Sequence, residues 1–172
     1  MTKLYVVTGI SGSGKTTIAR CLLQQGEVAF DSKLNPDLYH FVDEKGGVAE
    51  SVHLQDEAWR KRYKWSLNEN ELEKLLQKHA DAPRVFLCGR ANLFQYWHRA
   101  DKVFLLKVDE ATLRDRLNSP TRDNLFAKDI TTQEALTKNL YNIQDKITQK
   151  GAIVIDANRP VEVVAEHILR ES

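Results

Sequence analysis

The sequence predicts a three-layer α/β/α protein built on a five-stranded parallel sheet, and three observations carry that reading. Apolar, β-branched runs at KLYVV, RVFLC, KVFLLKV and AIVI alternate with segments of helical period. The runs are apolar at successive positions, the pattern of strands buried on both faces beneath two layers of helices. A glycine-rich stretch, VVTGISGSGKTTIAR at residues 6–20, joins the first run to the first helix.

Taken in order, KLYVV is the first strand and residues 15–25 the first helix. EVAF is a shorter fifth strand that ends at Asp31, and Asn35 and Pro36 then impose a loop. Residues 34–68 break the alternation, with a DEKGG turn signal and a set of large aromatics. NENELEKLLQKHA returns to helical period, with Leu72, Leu75 and Leu76 on one face. RVFLC and KVFLLKV are interior strands, and DEATLRDRL is a helix capped by Asp109. A second break, NSPTRDNLFAKDIT, precedes a helix near 132–149, the strand AIVI and a terminal helix PVEVVAEHILRES. Long breaks in a compact chain are commonly lids or binding loops.

At 172 residues the chain is expected to form one domain, 1–172. Its net charge of +1 supplies no global field for nucleic acid or an anionic membrane, so any bound anion must be held by local groups. Its apolar stretches are too short for a membrane span and MTKLYVV lacks a signal-peptide layout, which predicts a cytoplasmic protein. Cys21 and Cys88 fall in a helix and an interior strand and read as buried reduced thiols. Oligomeric state is not legible.

Gly9, Gly14, Lys15 and Thr16 satisfy G-x-x-x-x-G-K-[ST], the phosphate-binding P-loop, in the strand-to-helix setting the motif requires. Gly9, Gly12 and Gly14 let the backbone turn inward, so that N–H groups from Ser11 to Thr17, Ser13 included, face one concavity at a helix N-terminus. Lys15 would reach the β- and γ-phosphates of ATP, and the Thr16 hydroxyl would ligate the bridging Mg²⁺. A GTPase would need a guanine-reading N-K-x-D segment, which is missing. Motor, helicase and transporter ATPases carry a Walker B strand ending in Asp; the formal candidate here ends at Asp109, which reads as a helix cap.

On this P-loop, the acidic residue after the second strand, CGRAN after the third, LRDRLNSPTRDNLF and VIDANRPVEVVAEHI, the chain resembles the small P-loop kinases, the group of adenylate, shikimate and gluconate kinases. It departs from their better-known members in lacking a D-x-D pair after the second strand and a glycine triplet after the third. The resemblance implies a nucleoside- or nucleotide-kinase-like fold with an acceptor-binding region at 34–68 and a lid at 114–131. It also implies γ-phosphate transfer from ATP, with Mg²⁺, to a small metabolite such as a nucleoside, nucleotide or hydroxyl-bearing acid. An ATP-binding regulator or adaptor, and a polynucleotide end kinase, are the other readings; nucleic acid is the less expected partner.

By the same resemblance Asp31 touches the acceptor or the Mg²⁺ shell, where it could orient a hydroxyl and take its proton, or else it caps a turn beside Ser32. Arg116 and Arg122 match lid arginines that close over the transferring phosphoryl group, or are solvated charges. Arg114 and Arg116 lie two apart on one helix and cannot both point at phosphate. Arg90 sits where such kinases place an anion-binding arginine near the acceptor, at the carboxyl end of a buried strand. Asn158 and Arg159 match the loop over the adenine, or form an ordinary strand-to-helix turn. Trp59, Tyr63 and Trp65, among Arg60, Lys61, Arg62 and Lys64, either stack a base or belong to a covering helix, on which Trp59 and Tyr63 share the apolar face.

Overall fold

The computed structural model describes residues 2–54, 56–89, 93–120 and 130–172. Seven strands occur among them: β1 Lys3–Thr8, β2 Val28–Asp31, β3 Tyr39–Val42, β4 Lys64–Leu67, β5 Arg84–Cys88, β6 Lys102–Lys107 and β7 Ile153–Asp156. The six α-helices are α1 Lys15–Gln24, α2 Glu57–Arg62, α3 Glu69–Lys78, α4 Glu110–Asn118, α5 Ile130–Gln149 and α6 Val161–Glu171.

Five strands pair in parallel in the order β2-β5-β1-β6-β7, and these are the five runs read from the sequence. Period two divides β2, β5, β1 and β6 between two cores, while the edge strand β7 packs on one side through Ile153 and Ile155. Tyr5, Val7, Phe86, Cys88, Phe104 and Leu106 pack under α1, α4, α5 and α6 through Leu22, Leu113, Leu140 and Ile168. Leu4, Val6, Val85, Leu87, Val103 and Leu105 face the other way, onto Leu38, Tyr39, Leu67, Leu72 and Tyr96. Every one of these strand residues is buried, which accounts for the uninterrupted apolar runs. Cys21 and Cys88 are buried free thiols, and burial pushes the Cys88 thiol far up, so it stays protonated. Among the described residues no helix is long and apolar enough to cross a membrane.

Residues 34–68 differ from the irregular loop the sequence suggests. Strands β3 and β4 pair antiparallel there, with Tyr39 opposite Leu67 and Phe41 opposite Trp65. The short α2 lies between them, its N-terminus capped by the Asp56 carboxylate, which accepts from Ala58 N at 2.8 Å and Trp59 N at 3.1 Å. Strands of four residues give too little alternation to register against Gly46, Gly47 and the surrounding charges.

The end of the sheet remote from the strand carboxyl termini is tied by Arg84. Its Nε and Nη2 donate to the two Glu27 carboxylate oxygens at 2.9 and 2.6 Å, and its Nη1 donates to Ser172 Oγ at 2.7 Å. This fork joins the start of β5 to the segment before β2 and to the C-terminus, and both partners are largely shielded from water. Arg84→Ala is expected to lower unfolding stability by about 2 kcal/mol, measured as a drop in the urea midpoint at constant slope. A midpoint within error of wild type would mean that solvent screens the fork as it does an exposed pair.

Candidate active site

Where β1 ends, the chain turns through Gly9–Gly14 and enters α1 at Lys15. The turn is possible because Gly12 and Gly14 adopt φ of +90° and +99°, which side chains other than glycine rarely take. Gly12 is also packed tightly: a Cβ there would lie 2.8 Å from Leu113 Cδ1 on α4. The N–H groups of Gly12, Gly14, Thr16 and Thr17 have no acceptor among the described residues. Ser13 Oγ is buried without a partner. Lys15 folds back over the loop and donates from Nζ to Gly9 O at 2.9 Å and Ile10 O at 2.7 Å. Unpaired donors, a helix N-terminus and a tethered ammonium together form a cradle that fits a polyphosphate.

Asp31 ends β2 beside this loop because β2 pairs with β5, and β5 with β1. Its carboxylate is buried, and Oδ1 accepts from Thr16 Oγ1 at 3.0 Å and from Lys33 N at 2.9 Å. The carboxylate thus caps its turn, and the same oxygen accepts from the hydroxyl that the P-loop motif assigns to Mg²⁺. The neighbouring strand β5 ends in Cys88 and Gly89 without a carboxylate, and Asp109 at the end of the β6 run caps α4 by accepting from Thr112 N at 2.7 Å.

Arg116 leaves α4 toward the loop and donates to Ser13 O at 3.2 Å and Ala157 O at 2.7 Å, bracing the P-loop against the turn after β7. Burial pulls its pKa below the usual guanidinium value, against the opposing pull of Asp109 and Asp115. Arg114 instead pairs with Glu110 at 2.9 Å on the exposed side of α4, as the two-residue spacing requires. Asn158 is held within its own turn, accepting from Asp109 N at 3.0 Å and donating to Asp156 Oδ1 at 2.8 Å. On the inner side of α5 the buried Gln144 amide exchanges two hydrogen bonds with the Val108 backbone, at 2.8 and 3.1 Å, and so fixes the entry to α4.

The P-loop, Asp31 and Arg116 border one cavity of about 860 Å³, whose lining does not include Asn158. Gly9–Thr17 line it, together with Asp31, Arg116, Leu136, Ile143, Arg159 and Val161. Tyr39, Phe41 and Trp65 also line it; of these the sequence reading singled out Trp65 alone, within the aromatic and basic run 56–65. Trp59 and Tyr63 do not line this cavity; they border a second, shallower depression with Asp43 and His53. Trp59 packs behind Phe41 at 4.8 Å between ring centroids and against Tyr63 at 5.1 Å, the covering-helix alternative. The charges around them are locally matched, Lys61 to Glu57 at 2.7 Å and Arg62 to Asp43 at 3.6 Å. The available signal was the period-two spacing of Tyr39 with Phe41 and of Trp65 with Leu67. Arg90 and Arg122 lie outside the described residues.

Gly12→Ala is expected to weaken binding of an ATP analogue at least tenfold, since the left-handed backbone costs a side chain about 1–2 kcal/mol before the Leu113 clash is counted. Calorimetric titration checks this; wild-type affinity would mean that the loop is not the phosphate cradle. The Thr112 backbone hydrogen bond holds the Asp109 carboxyl below its usual pKa. A depressed folded value contributes stability above the unfolded pKa of about 3.9 and loses it as pH falls through the folded one. Asp109→Asn keeps a capping oxygen without a titrating one, so its unfolding midpoint should fall less than wild type between about pH 4 and pH 2. Parallel acid curves for the two proteins would contradict that assignment.

Residues 6–129 match the AAA domain family. No curated protein matches the chain in sequence. Among solved structures, the chain is similar to shikimate kinase from Acinetobacter baumannii in complex with shikimate, at 18% identity and a TM-score of 0.60, covering 99% of this chain and 93% of that one. It is similar to deoxyadenosine kinase from M. mycoides with dCMP and dCDP bound, at 16% identity and a TM-score of 0.56, covering 98% and 97%. It is similar also to a sugar kinase from Janibacter sp., at 19% identity and a TM-score of 0.51, covering 99% and 94%. With its P-loop between β1 and α1 on a parallel β2-β5-β1-β6-β7 sheet, the chain belongs to the AAA domain family and has the fold of the small P-loop kinases.

Proposed function

We propose that the chain is an ATP-dependent phosphotransferase acting on a small hydroxyl-bearing metabolite. The observation that carries this reading is the 3.0 Å hydrogen bond from Thr16 Oγ1 to Asp31 Oδ1, which joins a phosphate cradle to a buried carboxylate within one cavity. A nucleotide-binding regulator would use such a carboxylate on Mg²⁺ only and has no task for it as a base.

On this reading the N–H groups of Gly12, Gly14, Thr16 and Thr17 receive the polyphosphate of ATP. Lys15 exchanges the Gly9 and Ile10 carbonyls for phosphate oxygens, a replacement of neutral acceptors by charged ones. Thr16 and Asp31 are the residues that would hold Mg²⁺, which when bound neutralises charge on the β- and γ-phosphates. Asp31 also orients the acceptor hydroxyl and takes its proton as the new O–P bond forms and the β,γ-bridging O–P bond breaks, its electron pair leaving on ADP. Arg116 keeps the loop and the Ala157 turn at a fixed separation, with Arg159 and Asn158 alongside the base. Arg90 as an acceptor contact, Arg122 as a lid arginine, and the cytoplasm as compartment complete the reading.

Mg²⁺-dependent ADP release across a panel of nucleosides, nucleotides, sugar acids and short oligonucleotides tests it. Lys15→Ala should abolish stimulated turnover with the fold intact. Asp31→Asn retains an acceptor for Thr16 but no base, so acceptor-stimulated turnover should fall about 100-fold while ATP affinity stays within about threefold. Equal loss of turnover and ATP binding in Asp31→Asn, or unchanged turnover in Lys15→Ala, would overturn the proposal.

A further inference from the structure

We infer that the acceptor is a flat heteroaromatic ring carrying a hydroxylated arm, the chemistry of a nucleoside, and that the β3-β4 ribbon is its platform. The inference deepens the phosphotransfer reading and rests on it for the fate of the hydroxyl.

Register places Tyr39, Phe41, Trp65 and Leu67 on one face of the ribbon, with Phe41 directly opposite Trp65. Leu67 and Tyr39 are buried in the core, which anchors that face. Phe41 and Trp65 are only half-buried and open on the cavity that contains the P-loop and Asp31. Their rings are 4.6 Å apart and inclined at 55°. Tyr39 lies nearly parallel to the Trp65 indole, 9° between planes and 5.7 Å between centroids, and so sets its plane. Behind Phe41, the Trp59 ring at 4.8 Å closes the far side. The aromatic wall is thus fixed before a ligand arrives, and a preorganised aromatic surface binds planar rings at low ordering cost.

Among the described lining residues, Asp31, Ser32 and Lys33 follow β2 and carry the polar groups of that segment. An acceptor that fits has a ring against Phe41 and Trp65 and a hydroxylated arm directed to Asp31. A polyhydroxylated acid or a sugar would instead call for hydrogen-bonding side chains distributed around its rim.

Calorimetric titration of the full chain, with the nucleotide cradle saturated by a non-hydrolysable ATP analogue and Mg²⁺, tests the inference. The probes are adenosine, guanosine, cytidine and thymidine, their 5′-monophosphates, shikimate and gluconate. At least one ring compound should bind, about tenfold more weakly to Trp65→Leu, with affinity restored in Trp65→Phe and the ATP analogue bound equally by all three. Phe41→Leu, which leaves the Tyr39–Trp65 stack in place, should weaken the same compound. Preference for a nucleoside or for its monophosphate supports the ring platform either way and tells the two apart. Binding of shikimate or gluconate in place of every ring compound, binding of none of the probes, or equal affinity in Trp65→Leu would overturn it. A nucleoside bound through Trp65 yet giving no Lys15-dependent ADP release would keep the platform and overturn the phosphotransfer reading.

Discussion

Parallel pairing of β2, β5 and β1 is the constraint from which the site follows. Those three strands run in one direction and in a fixed register, so their carboxyl ends deliver Asp31, Gly89 and Gly9 to the same edge of the sheet. The 3.0 Å bond between Thr16 and Asp31 then joins residues fifteen positions apart in sequence. Open α/β sheets bind ligands at this edge because the turns leaving the strands diverge there and expose helix N-termini. A glycine-rich turn at β1 and a carboxylate at β2 convert that general opening into a cradle for polyphosphate with an acid-base group beside it.

Packing holds the cradle from behind. Gly12 rests on Leu113 of α4, and Arg116 from the same helix clamps the Ser13 and Ala157 carbonyls. Gln144 on α5 fixes Val108, and Asp109 and Asn158 fix the turns on either side. The loop's shape therefore depends on side chains from α4 and α5, more than a hundred residues away in the chain, and not on its glycines alone. Polar groups paired in this way confer rigidity at a position where a displaced backbone donor would forfeit charge stabilisation.

Sequence periodicity made the five parallel strands and their helices legible because each strand is apolar on both faces, a signal that needs no partner to be seen. The P-loop was legible for a different reason: its chemistry lies in one contiguous stretch. Asp31 could be named from its place at the end of a strand, although only the folded chain brings it to Thr16. The β3-β4 ribbon was obscured by its brevity, and the run from Asp56 to Trp65 gave a helical pattern strong enough to draw attention to Trp59 and Tyr63. Trp65 and Phe41 line the cavity because of cross-strand register, a property of two segments together that neither displays alone. Arg116 was singled out as a lid arginine or a solvated charge, whereas its bracing of two backbone carbonyls depends on a contact between α4 and the turn after β7.

The central claim is that one cavity moves a phosphoryl group from ATP to an organic hydroxyl. Phosphorus NMR of the full chain with Mg²⁺, ATP and the acceptor panel follows the γ-phosphorus to its destination. The expected result is a new phosphomonoester resonance growing with ADP in the wild type and missing in Lys15→Ala. Growth of inorganic phosphate alone, with every acceptor present in excess, would contradict the account and identify the chain as a hydrolase or an ATP-gated binder.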